Sequence, residues 1–407
     1  MRKPLHAATH RLSAGPAMPR AVFLFNHDAA HQVAHLAPIA GAMAREHPAV
    51  ETIVAYATQS IRERIETLIE PSEAEAVRWK ELALGPAIGG IASLVDRVLP
   101  ASRLARLRVH ENLFAGADAV ISTERTCLRV KKRLDPARSP LFIRVPHGTG
   151  DRSVTFHPDH RRFDLSLVAG PKMAEQLVAH GVEPSRIKVT GYSKFERIDL
   201  SAKPDFFGNG RPTFVYNPHF DPHLSSWYEM GPDILRWFAG AEGRRFNLIF
   251  APHVMLFRKA LHASPEYKTA KRRPDVPVEA LQADNVLVDI DGPRLFDMSY
   301  ILAADAYIGD ASSQIYEFLA RPRPAFFLDP NGALRQQGEQ QLPSLATGTT
   351  LGNVADLAES LADFDRAKNP NRARQAALIE RTFSLEDTPP STRAAQAIAD
   401  AIAGMRS

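Results

Sequence analysis

The stretch AYIGDASSQIYEFL, residues 306–319, passes from a short apolar run through a polar turn into a segment with helical spacing. A strand that ends at Asp310 and a helix predicted over 312–320 make one βα unit. Small hydroxyl residues at the start of such a helix, here Ser312 and Ser313, can cap its free N–H groups and leave room for an anion. The helix start carries about half a positive charge, which suits a phosphate or pyrophosphate. Glu317 lies a little over one turn on, where it can accept hydrogen bonds from a ribose or glycerol. An ordinary helix cap would use the same Asp-x-Ser-Ser pattern, so the position of this unit within the fold carries its meaning.

The same alternation extends outward in both directions. Before it come AVFLFN (21–26), VETIVAYAT (50–58), ADAVIST (117–123), PLFIRVPHG (140–148), DLSLVAG (164–170) and IKVTGY (187–192). Helical segments at 32–46, 59–70, 87–114 and 171–180 separate them. A Pro- and Gly-containing stretch, SAKPDFFGNGRP (201–212), has the composition of a linker. The alternation restarts with TFVYNP (213–218), FNLIFAPH (246–253), NVLVDI (285–290) and AYIGD (306–310), and continues to PAFFLD (324–329). Helices at about 225–238, 353–366, 371–382 and 391–405 complete it, and the polar stretch 262–284 is expected to be a mobile surface loop. Strands alternating with helices imply parallel sheets, and 407 residues are comfortable for two domains. The expected fold is therefore α/β, two doubly wound Rossmann-type domains with a ligand cleft at the carboxyl ends of their strands. The expected division is a disordered basic arm at 1–20, domains at 21–200 and 213–390, and a C-terminal helix at 391–407.

Bulk properties narrow the function. Hydrophobic residues make up 44% and charged residues 24%, a globular composition. No run approaches the roughly 20 apolar residues that span a bilayer. A single cysteine, Cys127, excludes an internal disulfide or a thiolate metal cluster and fits a reducing compartment, with the cytoplasm as the expected location. The net charge of +4 is modest and favours small anionic ligands or a lipid surface over nucleic acid. Residues 93–114 mix Leu and Val with Arg97, Arg103, Arg106 and Arg108. They form either a helix lying peripherally on the inner face of an anionic membrane or a domain helix with its arginines in water.

Four strand ends carry polar groups: PHGTGD (146–151), GYSK (191–194), APH (251–253) and the 309–319 unit. His147, on an uncrowded Gly-rich turn, can take a proton from an attacking hydroxyl. His253 occupies the corresponding place in the second half, as a second acid–base group or a clamp on phosphate charge. His219, Asp221 and His223 lie close in sequence, yet a cleft-lining turn explains that spacing better than a metal, and none is assigned. The Gly-Lys-Ser/Thr ending of a P-loop is missing at 148–153, and neither GxSxG nor HExxH occurs.

In order and spacing these motifs resemble the CDP-glycerol glycerophosphotransferase family, which includes polymerases and primases of wall teichoic acid. His147-Gly148-Thr149 resembles its His-Gly-Thr motif, and Gly191-Tyr192-Ser193 its Gly-Tyr-Pro turn. His253 resembles its catalytic-domain histidine. Asp310-Ala311-Ser312-Ser313 resembles its Asp-Tyr-Ser-Ser signature, with Glu317 at an expected acidic position. Asn217-Pro218-His219-Phe220 departs from the family's Ala-Pro-Thr-Trp-like segment. The resemblance implies a GT-B fold, a CDP-activated donor in the second domain and a hydroxyl acceptor, lipid-linked or not, over the first. It implies that the acceptor attacks the donor's β-phosphate and expels CMP. His147 would then be the base and His253 the phosphate stabiliser or acid. Gly148, Thr149, Gly191, Asn217, Asp310, Ser312, Ser313 and Glu317 would contact or order the donor. No cofactor or metal is required if the helix and imidazoles neutralise the diphosphate. A glycosyltransferase using a nucleotide sugar, a nucleotide-sugar 2-epimerase and an idle nucleotide-binding protein are the competing readings.

Overall fold

A computed structural model describes residues 18–27, 32–96, 101–151, 157–265, 267–310 and 312–406. The basic arm up to residue 17, Arg97 and Ala311 lie outside the described residues. The first sheet contains β1 (Arg20–Phe25), β2 (Glu51–Tyr56), β3 (Arg78–Glu81), β4 (Ala119–Ser122), β5 (Leu141–Arg144), β6 (Leu165–Val168) and β7 (Ile187–Val189). All neighbours run parallel, in the order β3-β2-β1-β4-β5-β6-β7. The second domain adds β8 (Thr213–Asn217), β9 (Asn247–Phe250), β10 (Leu261–Ser264), β11 (Thr269–Arg272), β12 (Val286–Val288), β13 (Ala306–Gly309), β14 (Ala325–Leu328) and β15 (Thr349–Leu351). Its parallel sheet has the order β12-β9-β8-β13-β14-β15, while β10 and β11 form a separate antiparallel pair.

The central strands are buried along their whole length because helices cover both faces, and so they read as continuous apolar runs. The edges β3 (RWKE) and β15 (TTL) have no such run, and the sequence pattern misses both. In each sheet the strand order reverses once, between β1 and β4 and between β8 and β13. A doubly wound sheet opens its ligand crevice at such a point. The two crevices lie at the carboxyl ends of these strands, next to Thr123 in one domain and Asn217 and Asp310 in the other.

Two expectations are corrected. The helix foreseen over 87–114 is broken into Pro86–Val95, Ala101–Val109 and Glu111–Ala115. Leu107 and Phe114 are buried, Arg106 is mostly buried, and Arg103 pairs with Glu124 at 2.9 Å, so this segment is not one basic membrane-facing helix. Residues 262–284, expected as a mobile loop, include most of the β10–β11 hairpin and the helix Val278–Gln282. The hairpin is tied down by buried His262 and by the Ser264 hydroxyl, which donates to Asp221 at 2.9 Å. The C-terminal helix Pro390–Arg406 returns to the first domain. Its Ala394, Ala395, Ile398 and Ile402 pack in the first-domain core against the helix Val33–Glu46. Among the described residues, no helix is long and apolar enough to cross a membrane.

Candidate functional site

The carboxyl ends of β4 and β5 face the start of the helix Gln314–Leu319 across a cleft of about 350 Å³. The first domain contributes Thr123, Arg125, Arg144, His147, Gly148 and His160, and the second contributes Ser312, Ser313 and Ser344. The sequence motifs at 147–148 and 312–313 thus meet. Their approach is close: a Cβ added at Gly148 would lie 3.3 Å from the Ser313 Cβ, so a side chain there would need Ser313 to shift by a few tenths of an ångström.

His147 is exposed to this cleft. Its Nδ1 lies 3.3 Å from the carbonyl oxygen of Thr123, which can only accept. The neutral ring therefore carries its proton on Nδ1 and presents the Nε2 lone pair, the form a base needs. The surrounding protein lowers the pKa of His147 below its usual value, and the Arg144 guanidinium lowers it further against the opposing Thr123 bond. Both effects keep the ring neutral at physiological pH.

His253 is not among the residues that line this cleft. It belongs to a cluster with His219 and Phe220, its ring centroid 5.0 Å and 4.8 Å from theirs. The Nδ1 of His253 accepts from the Met255 N–H at 3.2 Å, and that of His219 from the Asp221 N–H at 3.0 Å. Each neutral ring then has its proton on Nε2 and is a donor there, the opposite tautomer to His147. Of the two imidazoles expected to converge, His147 lines this cleft, while His253 sits beside His219 and Phe220. The spacing of His219, Asp221 and His223 reflects turns, since Asp221 accepts from the His223 N–H at 2.9 Å and His223 stacks on Tyr267.

Several of the residues expected to contact the donor also hold the local structure together. Asp310 is fully buried and accepts from the backbone N–H groups of His219 at 2.6 Å and Ser226 at 3.0 Å, which fixes the loop after β8. Burial raises its pKa to about 7. Gly191 takes φ +91°, and a Cβ there would lie 2.9 Å from Pro390, so it is glycine for the return of the C-terminal helix. Thr149 is buried and its carbonyl accepts from Lys172 at 3.0 Å. Ser313 makes no cap hydrogen bond, whereas Ser312 Oγ accepts from the Gln314 N–H at 3.3 Å. The helix has only 6 residues, which weakens the dipole argument for an anion. Glu317 is tied to Lys194 at 2.7 Å and to the Tyr192 hydroxyl at 2.8 Å. With Asn217, Arg294 and Gln314 it lines a cavity of about 20 Å³, too tight for a nucleotide in this arrangement.

Sequence reasoning passed over Arg144 and Arg125, and it read HPDHRR (157–162), which holds His160, as a solvated basic loop able to touch an anionic acceptor. The signal was present in one case: Arg144 is a cation inside the otherwise apolar run LFIRV, directly before the His-Gly turn. The other two come from turns whose placement in the cleft depends on the tertiary fold.

No protein-family model matches the chain, and no curated protein sequence matches it. Solved structures do. A variant of the wall teichoic acid polymerase TagF matches with a TM-score of 0.59 at 14% identity, covering 96% of this chain and 91% of that one. This chain has the GT-B-like fold. The S. aureus MnaA–UDP co-structure matches at 0.56 and 14% identity, over 96% and 97% of the two chains. A UDP-N-acetylglucosamine 2-epimerase matches at 0.55 and 13%, over 96% of each chain. The GT-B-like scaffold thus accounts for the cleft between two doubly wound domains.

Proposed function

We propose that the protein is a transferase that moves a group, glycerol phosphate in the first instance, from a CDP-activated donor to a hydroxyl acceptor. The observation that carries this reading is His147: a neutral imidazole with its Nε2 lone pair at the interdomain cleft, opposite Ser312 and Ser313. The base removes the acceptor hydroxyl proton as oxygen attacks the donor phosphorus, and the bond to the leaving nucleotide breaks. Holding acceptor and donor on opposite walls supplies much of the rate through alignment. Arg125 and Arg144 supply positive charge where negative charge develops. The sequence resemblance to CDP-glycerol glycerophosphotransferases and the fold likeness to TagF support the same reading. The reaction fits an envelope polymer or glycolipid as product, made by a protein acting at the inner membrane face.

Incubation with CDP-glycerol and a hydroxyl acceptor should release CMP, and His147→Ala should reduce that release by about 100-fold or more while the protein still binds CDP. Wild-type activity retained in His147→Ala would overturn the assignment. The likeness to a UDP-N-acetylglucosamine 2-epimerase favours a second reading, donor isomerisation without an acceptor. Conversion of UDP-N-acetylglucosamine to its 2-epimer, with no CMP from CDP-glycerol, would select it. Release of a nucleoside diphosphate from a nucleotide sugar would instead identify a glycosyltransferase.

A further inference from the structure

Glu317 belongs to the second-domain helix Gln314–Leu319, and its side chain is 9% exposed. Both oxygens of its carboxylate are taken by side chains from the turn after β7 in the first domain. The Lys194 ammonium donates to Oε1 at 2.8 Å and to Oε2 at 2.7 Å, and the Tyr192 hydroxyl donates to Oε1 at 2.8 Å. The turn is anchored on its own side by the Ser193 hydroxyl, which donates to the His35 carbonyl at 2.7 Å. Lys194 shares the lining of the 20 Å³ cavity with Glu317, Asn217 and Gln314. A carboxylate beside two amides is a lining that suits a hydroxylated ligand, but the space left is that of roughly one water. The ammonium and the phenol hydroxyl give this carboxylate the donors that a vicinal diol would give it.

We propose that Lys194 and Tyr192 are an internal competitor for Glu317, an autoinhibitory contact that occupies the carboxylate until a vicinal diol of the nucleotide donor displaces it. A ligand gains the Glu317 bonds only by breaking charge-assisted ones already made, so its apparent affinity falls by the fraction of molecules in which Glu317 is released. The displaced bonds run between the domains. Donor binding therefore frees the helix that carries Ser312 and Ser313 from one of its ties to the first domain, and leaves the neighbouring tie from Tyr316 to Asp151. The inference rests on the transferase reading and names how its donor site is regulated.

The test is titration calorimetry of the full chain with CDP, CDP-glycerol and 2′,3′-dideoxycytidine diphosphate, which lacks the ribose diol. Lys194→Met should melt lower than wild type without ligand, because a buried carboxylate loses its cation. It should nevertheless bind CDP at least about tenfold more tightly, although the substitution removes a positive charge from the site of an anion, and bind the dideoxy compound no more tightly. Tyr192→Phe keeps the ring packed against Phe195 and Phe383. It should tighten CDP by about threefold, and it carries the test if Lys194→Met does not fold. A gain confined to CDP-glycerol would place the diol on the glycerol and support the same competition. Unchanged or weaker binding of both CDP and CDP-glycerol in the folded variants overturns the inference, since Lys194 would then be a structural cation or a ligand of the donor itself. An equal gain for the dideoxy compound overturns it as well. A wild type that binds CDP without a gain in the variants leaves the transferase reading standing. Failure of wild type and variants alike to bind any of the three compounds overturns both.

Discussion

The tautomers of two histidines separate their roles. A carbonyl beside Nδ1 makes His147 an acceptor at Nε2, and a backbone N–H beside Nδ1 makes His253 a donor at Nε2. Only the first can act as a base in its neutral form. Because the pKa of His147 lies below the usual 6.5, protonation disables it only at correspondingly lower pH. The acid limb of kcat/KM is therefore expected below pH 6.5, activity falling as pH drops through it. In Arg144→Met, loss of the neighbouring charge should move that limb upward. A limb that ignores this substitution would detach the titration from His147.

At the scale of elements, the turns after the strands do two kinds of work. Those after β4 and β5 bring Arg125 and His147 to the cleft. The turn after β7 is shaped instead by the chain's return to the first domain. Gly191 sits there at φ +91°, with Pro390 and Arg393 where a Cβ would go. Gly191→Ala should cost about 1–3 kcal/mol from backbone strain alone, and more from the contact with Pro390. Urea unfolding would show it as a lowered midpoint. A midpoint equal to wild type would mean that the helix Pro390–Arg406 shifts freely, contrary to its place in the core.

Across the whole molecule, polar bonds span the cleft. Asp151 in the first domain accepts from Lys172 at 2.7 Å and from the Tyr316 hydroxyl of the second, with Lys172 3.7 Å over the Tyr316 ring. Lys194 and Tyr192 reach across to Glu317 in the same way. Both groups hold the domains in this mutual arrangement. Lys172→Met leaves the buried Asp151 carboxylate without its cation and is expected to destabilise the fold by about 3–5 kcal/mol. Calorimetry would reveal whether the domains then melt apart, as separate transitions; an unchanged single transition would show that Asp151 does not need Lys172.

The alternation of Val-, Ile- and Phe-rich runs with helical segments was sufficient for two parallel α/β domains, since buried parallel strands must be apolar on both faces. It also located the His147 and Ser312–Ser313 turns, because polar residues after such strands fall at the ligand edge. It could not show that Gly191 and Asp310 serve packing, since a positive φ and a buried carboxylate arise only from what folds back against them. Nor could it pair Arg144 with His160 and Arg125, which are distant in sequence. Local pattern determined the layers and the edge of the sheet. Long-range contact alone decided which of these side chains face the cleft together.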